Sequence, residues 1–414
     1  MIKRYNFYFR FLIVILLIVC VTGENQFSEN IPISTNVLDF FLAYLGFVLL
    51  LILSRKRDVL LIDNGTRSII KVYFWWFGLN CFRGLFMAVD YFSYRNLFYC
   101  IPITFFPLFF YVFTNPQNLA VFLNKWMKFC LPLFCGLVFV LGTDAYGFYL
   151  MPITLLSLFL FSIKPKWGLL LLLVTCFVVL SDLGARSNVI KFVIPILLSL
   201  AFLFRRIISV KLLRIIAFAF VLGPYLLIPL AAFGGFNILQ DSGYSKEYSA
   251  THKGQGTDED LFQDTRSFIY YEVIESAINN NYVLWGRTPA RGNDSNTLLF
   301  LEFGDEHNRP VQERFANEIG AANAFTHFGL IGLIVFLIFY YRAAFLALYR
   351  SNSFYMKLVG VSIAFRSFFF FLEDYYSFRI QTFSLIFLLC MCFSTSFREM
   401  TDKDFKVWIN QILK

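Results

Sequence analysis

Twelve runs of mainly apolar residues dominate this chain, and about 17–25 such residues are what an α-helix needs to cross the hydrocarbon of a bilayer. They fall near 6–22, 37–54, 68–87, 97–113, 123–141, 145–163, 167–182, 186–204, 211–235, 323–345, 354–372 and 380–396. Lys71 and Arg83 weaken the third, and a few residues separate the seventh from the eighth, which predicts a tight hairpin. Composition agrees. Of 414 residues 58% are hydrophobic and 15% charged, against about 45–50% and 25% in soluble domains. That balance excludes a cytosolic enzyme, a disordered regulator and a secreted disulfide module. The chain reads as an all-α polytopic membrane protein with about twelve transmembrane helices.

Orientation follows from the cations beside short loops. Lys3, Arg4 and Arg10 precede the first run, Arg55, Lys56 and Arg57 follow the second, and Lys164 and Lys166 follow the sixth. Arg205, Arg206, Lys211 and Arg214 flank the eighth and ninth; Arg342 and Arg350 follow the tenth; Lys403, Lys406 and Lys414 close the chain. With twelve crossings all these clusters share one side, which predicts both termini in the cytoplasm. The first run resembles a signal peptide, but no A-x-A-like cleavage site follows it, so an uncleaved helix is expected. The net charge of +9 sums a basic cytoplasmic rim and an acidic outer loop, so membrane lipids rather than nucleic acid are the expected partner.

Residues 236–322 break the apolar pattern and separate an N-terminal bundle (1–235, about nine helices) from C-terminal helices and tail (323–414). This stretch carries 7 Lys/Arg against 14 Asp/Glu, and twelve crossings place it outside the cytoplasm. A loop this long is usually functional. Asp264 to Ala277 predicts an amphipathic helix with Phe268, Tyr271, Ile274, Glu275 and Ile278 at helical spacing, stopped by Asn279, Asn280 and Asn281. Gly286 to Gly292 predicts a Gly/Pro loop, and Arg314 to Asn323 the start of the helix that becomes the tenth run. All eight cysteines lie in or near apolar runs, and His252, His307 and His327 are too dispersed for zinc-ligand spacing, so neither a disulfide scaffold nor a metal or other cofactor is expected.

Arginine within or beside a membrane is costly, which makes each one a functional candidate. Arg186 sits at the mouth of the hairpin between runs seven and eight, Arg266 begins the loop helix, and Arg287 and Arg291 lie on the Gly/Pro loop. A guanidinium binds two phosphate oxygens at once, so four converging arginines would suit a lipid-linked diphosphate. The plainer reading makes each a rim charge or the partner of a local acid such as Asp182 or Asp264. Glu373, Asp374, Tyr375, Tyr376 and Arg379 mark the outer turn between the last two runs, with side chains suited to sugars or to an interfacial belt. Arg366, inside the eleventh run, has no partner legible in sequence.

The order of these pieces resembles the O-antigen ligase/O-antigen polymerase superfamily of bacterial surface-polysaccharide enzymes. Members carry a t-x-S-R-s/g element opening a transmembrane helix, which Leu183-Gly184-Ala185-Arg186-Ser187-Asn188 approximates. Their outer loop then has an Arg-bearing helix ending in an N/H-P-l-x-G-x-G turn, similar to Arg266 through Trp285-Gly286-Arg287-Thr288-Pro289-Ala290-Arg291-Gly292. It closes with H-N-x9-G-l-x-G-l, whose spacing is matched from Glu318 to Gly329-Leu330-Ile331-Gly332-Leu333. The resemblance covers 180–345 in detail and the rest as a hydropathy pattern. Ligases have His where this chain has Glu318, a departure that favours the polymerases.

The resemblance implies a GT-C-like fold in the bacterial inner membrane, acting on undecaprenyl-diphosphate-linked oligosaccharide repeat units, with a chain-length regulator protein as partner. Glycosyl transfer needs cations for the departing diphosphate and a base for the attacking hydroxyl. Arg186 and Arg266 are the first candidates for the cations, with Arg287 and Arg291 completing the binding set. Glu318 is the first candidate for the base and His327 the second. The rival readings are a lipid-linked-oligosaccharide flippase and an O-antigen ligase. A flippase usually shows two related halves, and none is visible here.

Overall fold

The computed structural model describes residues 2–23, 36–55, 62–232, 249–251, 258–260, 267–295, 313–374 and 377–413. The described chain is almost wholly helical. The first half comprises α1 (Ile2–Thr22), α2 (Asn36–Ser54), α3 (Asn64–Met87), α4 (Tyr91–Thr104), a 3-10 turn (Phe106–Phe109), α5 (Phe110–Phe113) and α6 (Pro116–Leu137). Then come α7 (Thr143–Tyr149), α8 (Met151–Ser157), α9 (Pro165–Ser181), α10 (Arg186–Leu203) and α11 (Val210–Ala232). Beyond them lie β1 (Ser249–Thr251), antiparallel to β2 (Asp258–Asp260), α12 (Ser267–Asn279), and β3 (Asn293–Asp294), antiparallel to β4 (Glu313–Arg314). The chain ends with α13 (Gly320–Tyr349), α14 (Phe354–Phe369), α15 (Ile380–Phe393), α16 (Thr395–Glu399) and α17 (Asp402–Ile412).

Each of the twelve predicted runs is helical over most of its length. Among the described residues six segments are long and apolar enough to cross a membrane: Arg4–Thr22, Val37–Ser54, Tyr91–Phe113, Pro116–Leu137, Arg186–Leu203 and Gly320–Tyr349. Pro165–Ser181 and Ile380–Phe393 are shorter apolar helices. This is an all-α membrane protein. The sixth run is broken into α7, α8 and a 3-10 turn, and every residue of α8 is buried. A broken helix tolerates the membrane only inside protein, where neighbours satisfy its backbone.

Short polar residues start the helices by accepting from first-turn amides. Asp63 caps α3, Asp90 caps α4, and Thr401 with Asp404 forms a capping box on α17. The abundant phenylalanine packs helix on helix. Tyr73 stacks on Phe77 at 3.8 Å, and Phe106, Phe336 and Phe339 surround Tyr73 at 5.1–6.4 Å. Lipid is as apolar as a side chain, so such rings hold helices by close packing rather than by escape from water. Trp75, Phe86 and Phe218 face outward, as lipid-contacting residues do.

Two predicted elements differ. The helix expected from Arg314 begins at Gly320 instead, because Glu313 and Arg314 pair as a strand with Asn293 and Asp294. On the loop helix the stripe read from sequence is exposed at Tyr271, Ile274 and Ile278, while Ile269, Val273 and Ala277 are buried. Both stripes have helical spacing, and Glu272 and Ser276 are drawn inward by bonds to Ser295 and Tyr282. Arg266 and the stretch Phe300–Phe303 lie outside the described residues.

Candidate functional site

The site is organised by a break in α13. Gly329 has φ 70° and ψ −174°, a conformation essentially confined to glycine, so the helical ladder stops there. Carbonyls freed by the break must find other donors. The Gly/Pro loop supplies them: Arg287 N–H donates to the Thr326 carbonyl (2.7 Å) and Thr288 N–H to that of His327 (3.0 Å). Trp76 Nε1 of α3 donates to the Phe328 carbonyl at 3.1 Å, and Leu330 N–H donates to Val283 at 2.8 Å. The crossing is close enough that a Cβ on Gly329 would lie 2.2 Å from the Leu284 oxygen, and one on Gly286 2.4 Å from the Gly329 nitrogen. The two glycine signatures, 43 residues apart in sequence, are therefore one contact.

Beside this crossing, at the end of the bundle that carries α12, lies a cavity of about 430 Å³. His327 lines it from α13, Asp39 from the start of α2, Arg95, Asn96 and Tyr99 from α4, and Asp374 and Arg379 from the turn before α15. Phe40, Phe92, Phe315 and Phe378 complete the wall. His327 Nε2 lies 3.1 Å from the Phe315 carbonyl. A carbonyl only accepts, so that nitrogen carries the proton and Nδ1 is the basic one. Oδ1 of Asp39 is buried with no hydrogen-bond partner among the described residues. The set combines two acids, two arginines, an imidazole and aromatic walls.

A second cavity of about 370 Å³ lies against Gly286, lined by Arg83, Asn280, Tyr282, Trp285, Arg287 and Arg291, among others. Arg287 donates to Asp294 (2.7 Å) and the Gly292 carbonyl (2.9 Å) and lies 3.3 Å from Glu313. Arg291 forks onto both oxygens of Glu313, and that hydrogen-bonded carboxylate holds its guanidinium above its usual range. Burial pushes the Tyr282 hydroxyl up despite its bond to Ser276. Both loop arginines are thus paired with local acids. Removing Glu313 strips the carboxylate they share, a loss of about 1.5–3 kcal/mol for charge-assisted bonds. Glu313→Ala is expected to speed hydrogen exchange across 286–292 by at least tenfold; unchanged exchange there would show that the pair does not hold the loop.

The structure gathers some predicted residues and separates others. His327, Asp374 and Arg379 meet in the first cavity; Arg287 and Arg291 share the second. Arg186 opens α10, is exposed, and lines neither. Glu318 is exposed two residues before α13 and also lines neither. Arg266 and the pair Tyr375 and Tyr376 lie outside the described residues. Glu373 pairs with the fully buried Lys191 at 2.5 Å, and its carbonyl accepts from Gly320 N–H, tying α10 to the start of α13. Arg366 is buried with Met151 and Thr154 within 3.3 Å. Among the described residues no group of three or more His, Cys, Asp or Glu could hold a metal ion.

Sequence reasoning missed Asp39, Arg95 and Asn96. Asp39 carried a signal, a carboxylate at the start of an otherwise apolar run. Arg95 and Asn96 sit in a polar stretch before the fourth run, where interfacial side chains are ordinary. Comparisons with protein-family models, with curated proteins and with solved structures give no match.

Proposed function

We propose that the chain is a membrane glycosyltransferase that joins undecaprenyl-diphosphate-linked oligosaccharide repeat units into a surface polysaccharide at the outer face of the bacterial inner membrane. The observation that carries this reading is the polar cavity at the loop end of the bundle, where His327, Asp39, Asp374, Arg95 and Arg379 face one space walled by aromatic rings. A sugar needs carboxylates and amides for its hydroxyls and ring faces for its apolar side, and a diphosphate needs guanidinium groups. The motif order across 180–345 supports the same class. The reading takes all twelve runs as crossings in a GT-C-like bundle, with both termini in the cytoplasm and a chain-length regulator as partner.

In this mechanism an acceptor hydroxyl attacks the anomeric carbon of the carrier-linked chain. The new C–O bond forms as the bond to the diphosphate breaks, and undecaprenyl diphosphate leaves with the electron pair. His327 Nδ1 takes the hydroxyl proton. Arg95 and Arg379 stabilise the charge that develops on the leaving group, and Arg186 meets the headgroup from the exposed rim. Asp39 and Asp374 orient the acceptor sugar. Glu318 lies outside this cavity, so His327 takes the role of base.

The test is replacement of the chromosomal gene by Arg379→Ala. The expected result is loss of long-chain glycan by gel, a single capped repeat unit retained, and normal protein in the membrane. Complete loss of glycan from the lipid core would indicate a ligase. Carrier-linked units accumulating on the cytoplasmic face would indicate a flippase. Normal chain lengths would exclude Arg379 from the leaving-group site.

A further inference from the structure

The exposed side of α6 changes character partway along the helix. From the start it reads Gln117, Val121, Lys125 and Lys128, and then Phe129 and Leu133. A helix entering hydrocarbon at Pro116 would carry Lys125 and Lys128 about 14 and 18 Å deep, near the middle of a core about 30 Å thick. Lipid-facing lysine there is costly. The C-terminal helix shows why α6 does not enter at Pro116. Trp408 Nε1 donates to the Pro116 carbonyl at 2.9 Å, and Asn124 Nδ2 donates to that of Ile412 at 2.6 Å. Phe405, Trp408, Ile409 and Ile412 of α17 are buried while Lys403, Lys406 and Val407 are exposed, the pattern of a helix lying along the end of the bundle. Residues 116–124 are thus flanked by a surface helix, which places the hydrocarbon boundary near Lys125 and Lys128.

Other cations gather at that level. α1 runs parallel to α6: Asn118 Nδ2 donates to the Tyr5 hydroxyl at 3.4 Å and the Cys130 thiol to the Leu17 carbonyl at 3.8 Å, both pairs 113 residues apart. That register sets the exposed Arg10 beside position 123. Asn410 of α17 donates to the Ser162 carbonyl at 3.1 Å and accepts from Lys164 N–H at 3.3 Å, which brings the exposed Lys164 and Lys166 to the same rim. Lys125 and Lys166 hold their ammonium groups 5.3 and 5.7 Å from the rings of Phe129 and Trp167. The sequences of α1, α6 and α9 contain no Asp or Glu. Acids on other elements at this end are engaged elsewhere. Asp402 accepts from Ser353, Phe354 N–H and Arg205, Asp404 accepts from Thr401, Asp63 pairs with Arg342, and Glu399 acts on Arg398. Among the described residues none of Arg10, Lys125, Lys128, Lys164 and Lys166 has an ion pair.

We infer that Arg10, Lys125, Lys128, Lys164 and Lys166 form a docking rim for the phosphate groups of anionic phospholipids, which supply the counter-charge that the protein's own acids do not. Cations held at headgroup level attract an anionic leaflet. Beyond the rim the exposed Phe129, Leu133, Leu173 and Phe177 meet the acyl chains, and Phe134 against Phe177 (6.2 Å) makes the wall of α6 and α9 continuous. From Lys166 to Ser181 α9 rises about 23 Å, short of the usual core, so the bilayer is drawn thin against this face. The rim is independent of the reaction proposed above, since none of its residues lines either cavity.

The test places the full-length protein in nanodiscs holding equal amounts of phosphatidylglycerol and phosphatidylcholine with the same acyl chains, and counts the lipids retained by native mass spectrometry. Wild type is expected to favour phosphatidylglycerol by about tenfold or more, and the double variant Lys125→Gln/Lys128→Gln to lose most of that preference. If the double variant folds poorly, Lys166→Gln reads the same rim from α9 and should weaken the preference in the same direction. Equal retention of the two lipids by wild type, or an unchanged preference in both variants, would overturn the rim. Displacement of the lipid by inorganic phosphate would overturn the lipid assignment in favour of a soluble anion. A dimer that the double variant loses would overturn it in favour of a second copy of the chain. Spin labels at Val121→Cys and Leu133→Cys, with the exposed Cys135 and Cys176 changed to Ser, test the boundary separately. A water-soluble relaxation agent should reach position 121 and oxygen position 133; equal immersion of both in lipid would overturn the placement of the boundary.

Discussion

Gly329→Ala is expected to lower the melting midpoint sharply and to shift detergent-purified protein toward aggregate on size exclusion. Alanine at φ 70° and ψ −174° is strained by about 1–3 kcal/mol before any contact is considered. Its Cβ would also lie 2.2 Å from the Leu284 oxygen and 2.5 Å from the Gly286 nitrogen, both backbone atoms that cannot rotate away. If the helix straightened to relieve this, the bonds from Arg287, Thr288 and Trp76 to the freed carbonyls would be lost together. Orphaned backbone groups in a membrane protein cost several kcal/mol each. Gly136→Ala in α6 is the control. A Cβ there meets nothing within 4 Å, and replacing a helical glycine should be neutral or stabilising by about 0.5–1 kcal/mol. Equal midpoints for the two variants would show that the crossing does not bear on stability.

His327→Gln is expected to abolish long-chain glycan, reducing polymer formation at least ~100-fold while leaving protein abundance unchanged. Glutamine can still donate to the Phe315 carbonyl, so the local structure is retained while the basic nitrogen is lost. His327→Ala should fail in the same assay and also lose the anchor to Phe315. Normal polymer from the Gln variant would make His327 a structural donor and move the base elsewhere, with Asp39 the next group in the cavity. Glu318→Gln, outside the cavity, is expected to retain polymer.

Much of the site was legible as separate pieces. Arg287, Arg291, Gly286 and Gly329 were visible because Gly and Arg are rare choices beside apolar runs. Asp374 and Arg379 were visible as charges in a short outer turn. Their grouping was not. Arg287 and Arg291 were expected to face a substrate, yet Glu313, brought next to them by a two-residue ladder, occupies both. The loop helix shows the same limit, since two stripes at helical spacing compete and the polar partners Ser295 and Tyr282 choose between them.

By itself the sequence determined that this is a helical membrane protein, because apolar runs of spanning length leave the chain few other ways to satisfy its backbone. It also determined where the polar module interrupts the helices. Only the tertiary structure decided that α13 breaks at Gly329 and that the loop from Tyr282 to Thr288 repairs the break. It alone placed Asp39 and Arg95 with His327, and Glu313 with Arg291. Hydropathy is a sum over neighbours in sequence, whereas charge pairing and cavity lining depend on groups that meet from helices far apart along the chain.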